Sequence, residues 1–332
     1  MINDAILMGL AGVLATASPV IFAVIGETIS ERAGVINLSL NGAILLSAMV
    51  GFATAVYFNS TIAGLLAGML IGALIGLIIS ISSISLFQSQ VAVGFVLALT
   101  CRDLSYFLGN PLMSVTGPTM KVVPIPFLSQ LPVLGELFFH HDLMTYASFI
   151  LIIFSWFYIF KTRPGLMLQG IGERPAAAYV RGADVIRLRY IYTIVGGALV
   201  GLAGPMYSLN IKAGWKGTLS GLDGIGWIAL AITIFGGWNP LRAAFGAYLF
   251  ALLQWLGLVL QPNLPNIPSQ LLQVAPFPLM ILTLLLVNFG NTEWFARLMA
   301  VLPPRPRVIL GNILRSLRAA PPAALGVPFK KE

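Results

Sequence analysis

Long uncharged apolar runs alternate along the chain with short polar breaks. Residues 5–26 carry no charge, enough for one helix at about 20 residues per bilayer crossing. Residues 33–101 form a 69-residue uncharged run, the length of three such helices, with polar breaks at Asn59–Ser60 and Ser85–Gln90. The pattern predicts spans near 5–26, 38–57, 62–84, 91–108, 143–160, 190–209, 224–238, 243–260 and 274–290, about nine in all (8–10). The 224–238 segment is short, and re-entry is the alternative to a full crossing there. A polar, proline-dotted stretch, Gly109 to Asp142, separates the fourth and fifth spans.

Composition agrees. Of the 332 residues, 58% are hydrophobic and 9% charged, against about 25% charged in soluble domains. The expected fold class is an all-α polytopic membrane protein. The opening MINDAILMGL lacks a basic n-region, so the first apolar segment is expected to stay as a span. Orientation follows from basic residues in short loops. With nine alternating spans, fifteen of the nineteen Lys and Arg residues fall on one side, in 161–189, in the tail, and at Arg32 and Arg242. That predicts an outside N-terminus and a cytoplasmic C-terminus. The net charge of +8 is then a topology signal, not a nucleic-acid footprint.

Several chemistries are missing. Cys101 is the single cysteine, so no disulfide forms within the chain, and the adjacent His140 and His141 make no metal-ligand spacing. No Gly-Lys pair exists for a phosphate loop, and neither HExxH nor GxSxG occurs. No catalytic residue, metal or cofactor is expected, which leaves a transporter or channel, a membrane-embedded enzyme of unfamiliar type, or a structural subunit of a complex.

Between the fifth and sixth spans, Thr162-Arg163-Pro164-Gly165 reads as a helix exit and turn. GIGERPAAAYVRGADV then predicts a short helix that starts at Pro175, runs through Ala176–Ala178 and ends at Gly182. So short a helix is unstable alone in water, so it is expected to dock in a partner's cleft; a solvated linker is the alternative. Residues 1–290 are read as one transmembrane domain and 291–332 as a basic, proline-rich cytoplasmic tail. In that tail RVILGNILRSLR suits either a helix lying on an anionic membrane face or a frayed terminus.

This segment resembles the coupling region of ABC importer permeases of the branched-chain amino acid, ribose and nucleoside type. Thr162, Gly165, Leu166, Gly172, Pro175, Ala177, Ala178 and Gly182 match that family's pattern, and Glu173 and Arg174 lie within it. Near the start, GETISERAGVINLSLNGA is similar to a block of the nucleoside and simple-sugar branch, with Gly26, Glu27, Glu31, Arg32, Gly34, Val35, Asn37, Leu38 and Gly42 in place. Ser39 stands where that block has glycine, and Asn41 where it has glutamate. Gly224–Phe250, containing Asn239 and Pro240, matches a third block and Ser89–Leu99 a fourth.

The residues have their own logic. Glu27 and Glu31 are four apart, and carboxylates in lipid are expensive, so a place at the cytoplasmic rim near Arg32 is expected. Asn37 and Asn41, also four apart, are expected on one face of the second span; they either bridge helices or line a polar path. Gln90 joins them as candidate lining. Arg102 and Asp103 interrupt the fourth span; adjacent residues do not face each other on a helix, and they read as snorkelling or as the mouth of a path.

The resemblance implies a permease subunit of an ABC importer for a small polar solute, first a nucleoside, second a simple sugar. It also implies a separate cytoplasmic ATPase, a second permease subunit in a heterodimer, an extracytoplasmic substrate-binding protein, and surrounding membrane lipid. An ion-coupled secondary transporter is the alternative from another class.

Overall fold

The structure, a computed structural model, describes residues 4–263, 278 and 320–330. The described residues are helical, apart from turns, irregular connections and one isolated bridge between Val122 and Asp142. The helices in order are α1 (Asp4–Arg32), α2 (Leu40–Phe58), α3 (Thr61–Ser80), α4 (Gln90–Gly109), α5 (Leu134–Phe138), α6 (Leu143–Lys161), α7 (Arg163–Glu173), α8 (Pro175–Val180), α9 (Val185–Met206), α10 (Ile225–Phe235) and α11 (Pro240–Leu260). Among the described residues, seven helices are long and apolar enough to cross a membrane: α1, α2, α3, α4, α6, α9 and α11, of which α3 and α9 run on through a π-helical turn.

Small polar residues set many of the boundaries. Asn59 ends α2 in the left-handed conformation (φ 47°), and the hydroxyls of Ser60 and Ser89 accept backbone N–H groups at the starts of α3 and α4. Asp142, Asp184 and Asn239 do the same for α6, α9 and α11, satisfying donors that a helix start leaves open.

Helices in lipid gain little from hydrophobic burial, so close backbone contact does more of the work. α3 has two faces. Gly64, Gly68, Gly72 and Gly76 recur every fourth residue and press on Gly51, Gly201, Gly197 and Thr193, where an added Cβ would collide with backbone or proline atoms. Leu66, Leu70, Leu74 and Ile78 lie on its other side and are exposed. α1 is enclosed instead: Ile21, Ala23, Val24 and Ile25 are fully buried, as in a helix surrounded by others.

The bundle has two ends. At one, Gly172 of α7 packs on the carbonyl of Arg32 at the end of α1, and the Arg32 guanidinium reaches Trp238, just before α11. At the other, Met120 donates its N–H to Leu209 at 2.9 Å, and Trp215 packs on Gly109 at the end of α4. The segment Asn110–Asp142 thus covers the end opposite Arg32.

Several sequence expectations change. α10 has 11 residues, about 16 Å at 1.5 Å per residue against about 30 Å of hydrocarbon, so 224–238 is not a full helical span. Seven of the expected spans thus appear as long helices among the described residues, and the expected span 274–290 and the RVILGNILRSLR helix lie outside those residues, Pro278 excepted. α1 continues past the expected end at residue 26 to Arg32, so Glu27 and Glu31 lie in its last two turns, beside Arg32. Asn37 lies in the 33–39 connection, not on a face of α2 shared with Asn41. Thr162–Gly165 is a helix start: the Thr162 hydroxyl accepts the Gly165 N–H at 3.1 Å, and Pro164 sits in the first turn of α7, where its missing N–H costs nothing.

Candidate functional site

The polar groups gather at three levels. The first is at mid-depth, where two helices begin. Gly42 packs on the carbonyl of Ala98, near the middle of α4, and Gly226 in the first turn of α10 packs on the backbone of Leu40 and Asn41. The starts of α2 and α10 therefore meet inside the bundle. From there α10 descends to Trp238 at the Arg32 end, while residues 212–223 come in from the opposite end as irregular backbone with one short 3-10 helix, Gly217–Ser220.

Asn41 joins these two starts. Its side-chain amide donates to Asp223 Oδ1 at 2.6 Å, and its Oδ1 accepts the Gly224 N–H at 2.8 Å. A glutamate, which the related block carries here, would lack the donor and set a second carboxylate against Asp223. Tyr106 of α4 donates to Asp223 Oδ2 at 3.3 Å. Along the same helix, Arg102 Nε contacts Asp103 Oδ1 at 2.9 Å, with side chains 34% and 66% exposed. The two neighbours do pair, contrary to the expectation from helix geometry, because the arginine stem is long enough to turn back. Phe95, further along α4, lies 6.3 Å from Trp227 of α10 between ring centroids, and both are exposed. Irregular backbone at membrane depth is stable only when buried in protein or lining a watery cavity.

The second level holds the early charged block. Glu27 is fully buried and Glu31 is 2% exposed. Glu27 Oε1 accepts the Asn37 N–H at 3.2 Å, and Glu31 Oε2 accepts the indole N–H of Trp238. The Arg32 side chain turns to the Trp238 carbonyl at 2.9 Å and to Gln169 Oε1 at 3.4 Å, and lies over the Phe160 ring. Asn37 Oδ1 accepts from both the backbone and the hydroxyl of Ser39, and Gln90 Oε1 accepts the Ile36 N–H at 2.8 Å. These contacts fold the 33–39 connection. Asn37 and Gln90 are thereby engaged in holding backbone, while Asn41 faces the mid-depth break. Gly34 takes φ +89°, and Asn239 and Pro240 form the cap and first position of α11.

The third level is the Arg32 end itself. α7 and α8 meet at Arg174, and between them lies an open groove of about 500 Å³ lined by Arg163, Arg174, Arg181, Glu173, Leu166, Met167, Gly170, Ala177, Ala178 and Ala183. α8 spans Pro175–Val180, as the sequence predicts, and Gly182 follows it at φ +91°. Among the described residues no group of three His, Cys, Asp or Glu could hold a metal.

Asp223, Tyr106, Trp227, Gln169 and Trp238 are absent from the sequence-based site residues. Each acts through a contact far along the chain that no local spacing announces.

A bundle of apolar helices, broken at mid-depth around polar side chains, is the architecture of a membrane transport protein. The profile of the family described as branched-chain amino acid transport system / permease component matches residues 9–287. The chain belongs to that family: it is a multi-pass protein of the cell membrane and a transport subunit of an ABC system, not an enzyme. Three relatives align over most of its length. A protein provisionally named the glucose ABC transporter permease TsgC13, from Haloferax volcanii, is 34% identical over 75% of this chain and 78% of its own. The nucleoside ABC transporter permease NupC of Lactococcus lactis is 33% identical over 83% and 90%. The guanosine ABC transporter permease NupQ of Bacillus subtilis is 33% identical over 82% and 89%. The last two organisms each carry a second such permease, NupB and NupP, which match over shorter stretches. No solved structure matches the chain at comparable significance.

Proposed function

We propose that the chain is one of two permease subunits of an ABC importer for nucleosides, and that the solute passes along the face shared by α4 and α10. One observation carries this reading. Asp103 and Asp223 are exposed on that face with Arg102 half-buried beside them, and charges do not face lipid without large cost. A second subunit covers the face and leaves a wet path between them. Phe95 and Trp227 offer rings against which a base can stack, and the Asp223 carboxylate can accept hydrogen bonds from sugar hydroxyls. Nucleoside and guanosine permeases among the relatives support this choice, and their occurrence with a second permease supports a heterodimer.

In this reading the Arg32 end is cytoplasmic, the N-terminus lies outside, and the chain crosses nine times. One crossing is then the irregular 212–223 stretch followed by α10, and another is 274–290. An ATPase subunit takes α8, with Ala177 and Ala178 in its cleft, and Gly172, Glu173, Arg174, Pro175 and Gly182 shape that element. A binding protein delivers solute at the Asn110–Asp142 end. Uptake of labelled guanosine and uridine by cells carrying the complete transporter tests the substrate. Competition by unlabelled nucleosides, and none by glucose or ribose, is expected. Accumulation of glucose in their place would favour the sugar reading that the Haloferax relative supports.

A further inference from the structure

Residues 320–330 lie beyond the family match, which ends at residue 287, yet they are tied to five separate pieces of the Arg32 end. The Ala323 N–H donates to Glu173 Oε2 at 3.1 Å and the Ala324 N–H to the Gly172 carbonyl at 2.9 Å, both at the end of α7. Two residues on, the Gly326 N–H donates to the Gly34 carbonyl at 3.1 Å, in the 33–39 connection. The Val327 carbonyl accepts from Arg189 Nη1 of α9 at 2.8 Å. Phe329 packs on Tyr179 of α8 at 5.7 Å between ring centroids, and the Lys330 ammonium lies over Phe87 beyond α3.

Two features argue against an incidental contact. Arg189 is 2% exposed, and its other hydrogen bond, to the Ile171 carbonyl, is longer at 3.4 Å. A buried guanidinium left without acceptors is costly, so the Val327 carbonyl is part of what lets Arg189 sit there. The segment is also shaped for the site. A turn, Leu325 N–H to Pro322 O at 2.9 Å, sets the spacing between Ala324 and Gly326. Gly326 takes φ +75°, and a Cβ there would press on Ile36 at 2.9 Å.

We propose that residues 320–330 are a positioning strap that fastens the α7–α8 element to the 33–39 connection. Gly34 is three residues from Asn37, which folds the connection, and seven from Asn41, which holds Asp223 and the start of α10 at mid-depth. A displacement of α8 is thereby carried through Ala324 and Gly326 to the break in the path. The strap works beside the direct contact of Gly172 with the Arg32 carbonyl. This inference rests on reading α8 as the element that receives the ATPase.

The test uses the complete transporter in proteoliposomes, with solute uptake and ATP hydrolysis measured together. Two chains are compared with the wild type: one ending after residue 319, and full-length Gly326→Val, which keeps the segment and spoils its fit. Both are expected to retain the ATPase subunit and to hydrolyse ATP, while ATP consumed per solute moved rises about tenfold, within the usual range of a coupling free energy. Wild-type stoichiometry in Gly326→Val overturns the proposal, whether or not the shortened chain assembles. Ala177→Trp/Ala178→Trp is run beside them: ATPase binding retained in that chain removes the coupling role of α8 alone, and the stoichiometry of the strap variants still decides the strap.

Discussion

Asn41 and Asp223 stand 182 positions apart and meet at 2.6 Å, where the starts of α2 and α10 converge. The amide both donates to the carboxylate and accepts the Gly224 N–H, so one side chain ties a continuous helix to a half-length one. Asn41→Leu leaves Asp223 and the Gly224 N–H without that partner, a loss of about 1–3 kcal/mol for each group that stays dry. Uptake is expected to fall about tenfold or more, since 1.4 kcal/mol is already tenfold, with assembled complex present on purification. Unchanged uptake would make Asn41 a packing residue.

Asn37 has a different role and predicts a different outcome. Its side chain holds Ser39 within the connection. Asn37→Leu should lower the thermal unfolding midpoint of the complex, with the affinity for solute preserved in whatever folds. A raised KM with unaltered stability would place Asn37 in the path after all.

Orientation can be read by labelling from outside on a Cys101→Ser background. Lys121→Cys, on the Asn110–Asp142 cover, is expected to react with an impermeant maleimide in intact cells, and Arg181→Cys only after the membrane is opened. The reverse pattern inverts the whole molecule.

The α8 groove makes a prediction of fit. Enlarging Ala177 and Ala178 to Trp should leave insertion normal, because α8 packs outside the bundle, and abolish co-purification of the ATPase. A double variant with wild-type binding and uptake would reduce α8 to a linker.

The two faces of α3 should respond oppositely to substitution. Gly72→Leu forces side-chain atoms into the Gly197 carbonyl and the Gly201 backbone, and should prevent a stable folded protein in detergent. Leu70→Ala, on the exposed side, should cost less than about 0.5 kcal/mol, as surface changes usually do. Equal sensitivity at both positions would show that the exposed face is also packed.

How much of this was legible in the sequence depends on the range of the interaction. The breaks at Asn59–Ser60 and Ser85–Gln90, and α8 between Pro175 and Gly182, follow from caps and turn residues that act within a few positions. α7 was missed: Thr162 followed by Pro164 is a capped start, but proline beside glycine reads equally as a turn. The half-length of α10 showed in its short apolar run. Asp223 did not: a single acid in a loop acquires meaning only when Asn41 and Tyr106 arrive from other helices. Trp238 and Arg189 are similar, each a buried side chain defined by a polar partner distant in sequence. The strap was hidden for another reason. Its contacts use mostly backbone N–H and C=O groups, which every residue has, so side-chain identity along 320–330 carries little trace of them.

The contact of α3 with α9 bears on how the molecule can move. Where Gly72 and Gly197 meet, main chain rests on main chain, and no rotamer intervenes that could switch to a second arrangement. Sliding one helix by a fraction of a turn would drive carbonyl oxygens into Cα atoms. The pair is therefore a single stiff leaf, running the depth of the bundle. α2 belongs to the same unit, since Gly51 meets Gly64 and Gly204 meets Ala48 backbone to backbone, so a substitution that widens any one of these contacts separates three helices at once.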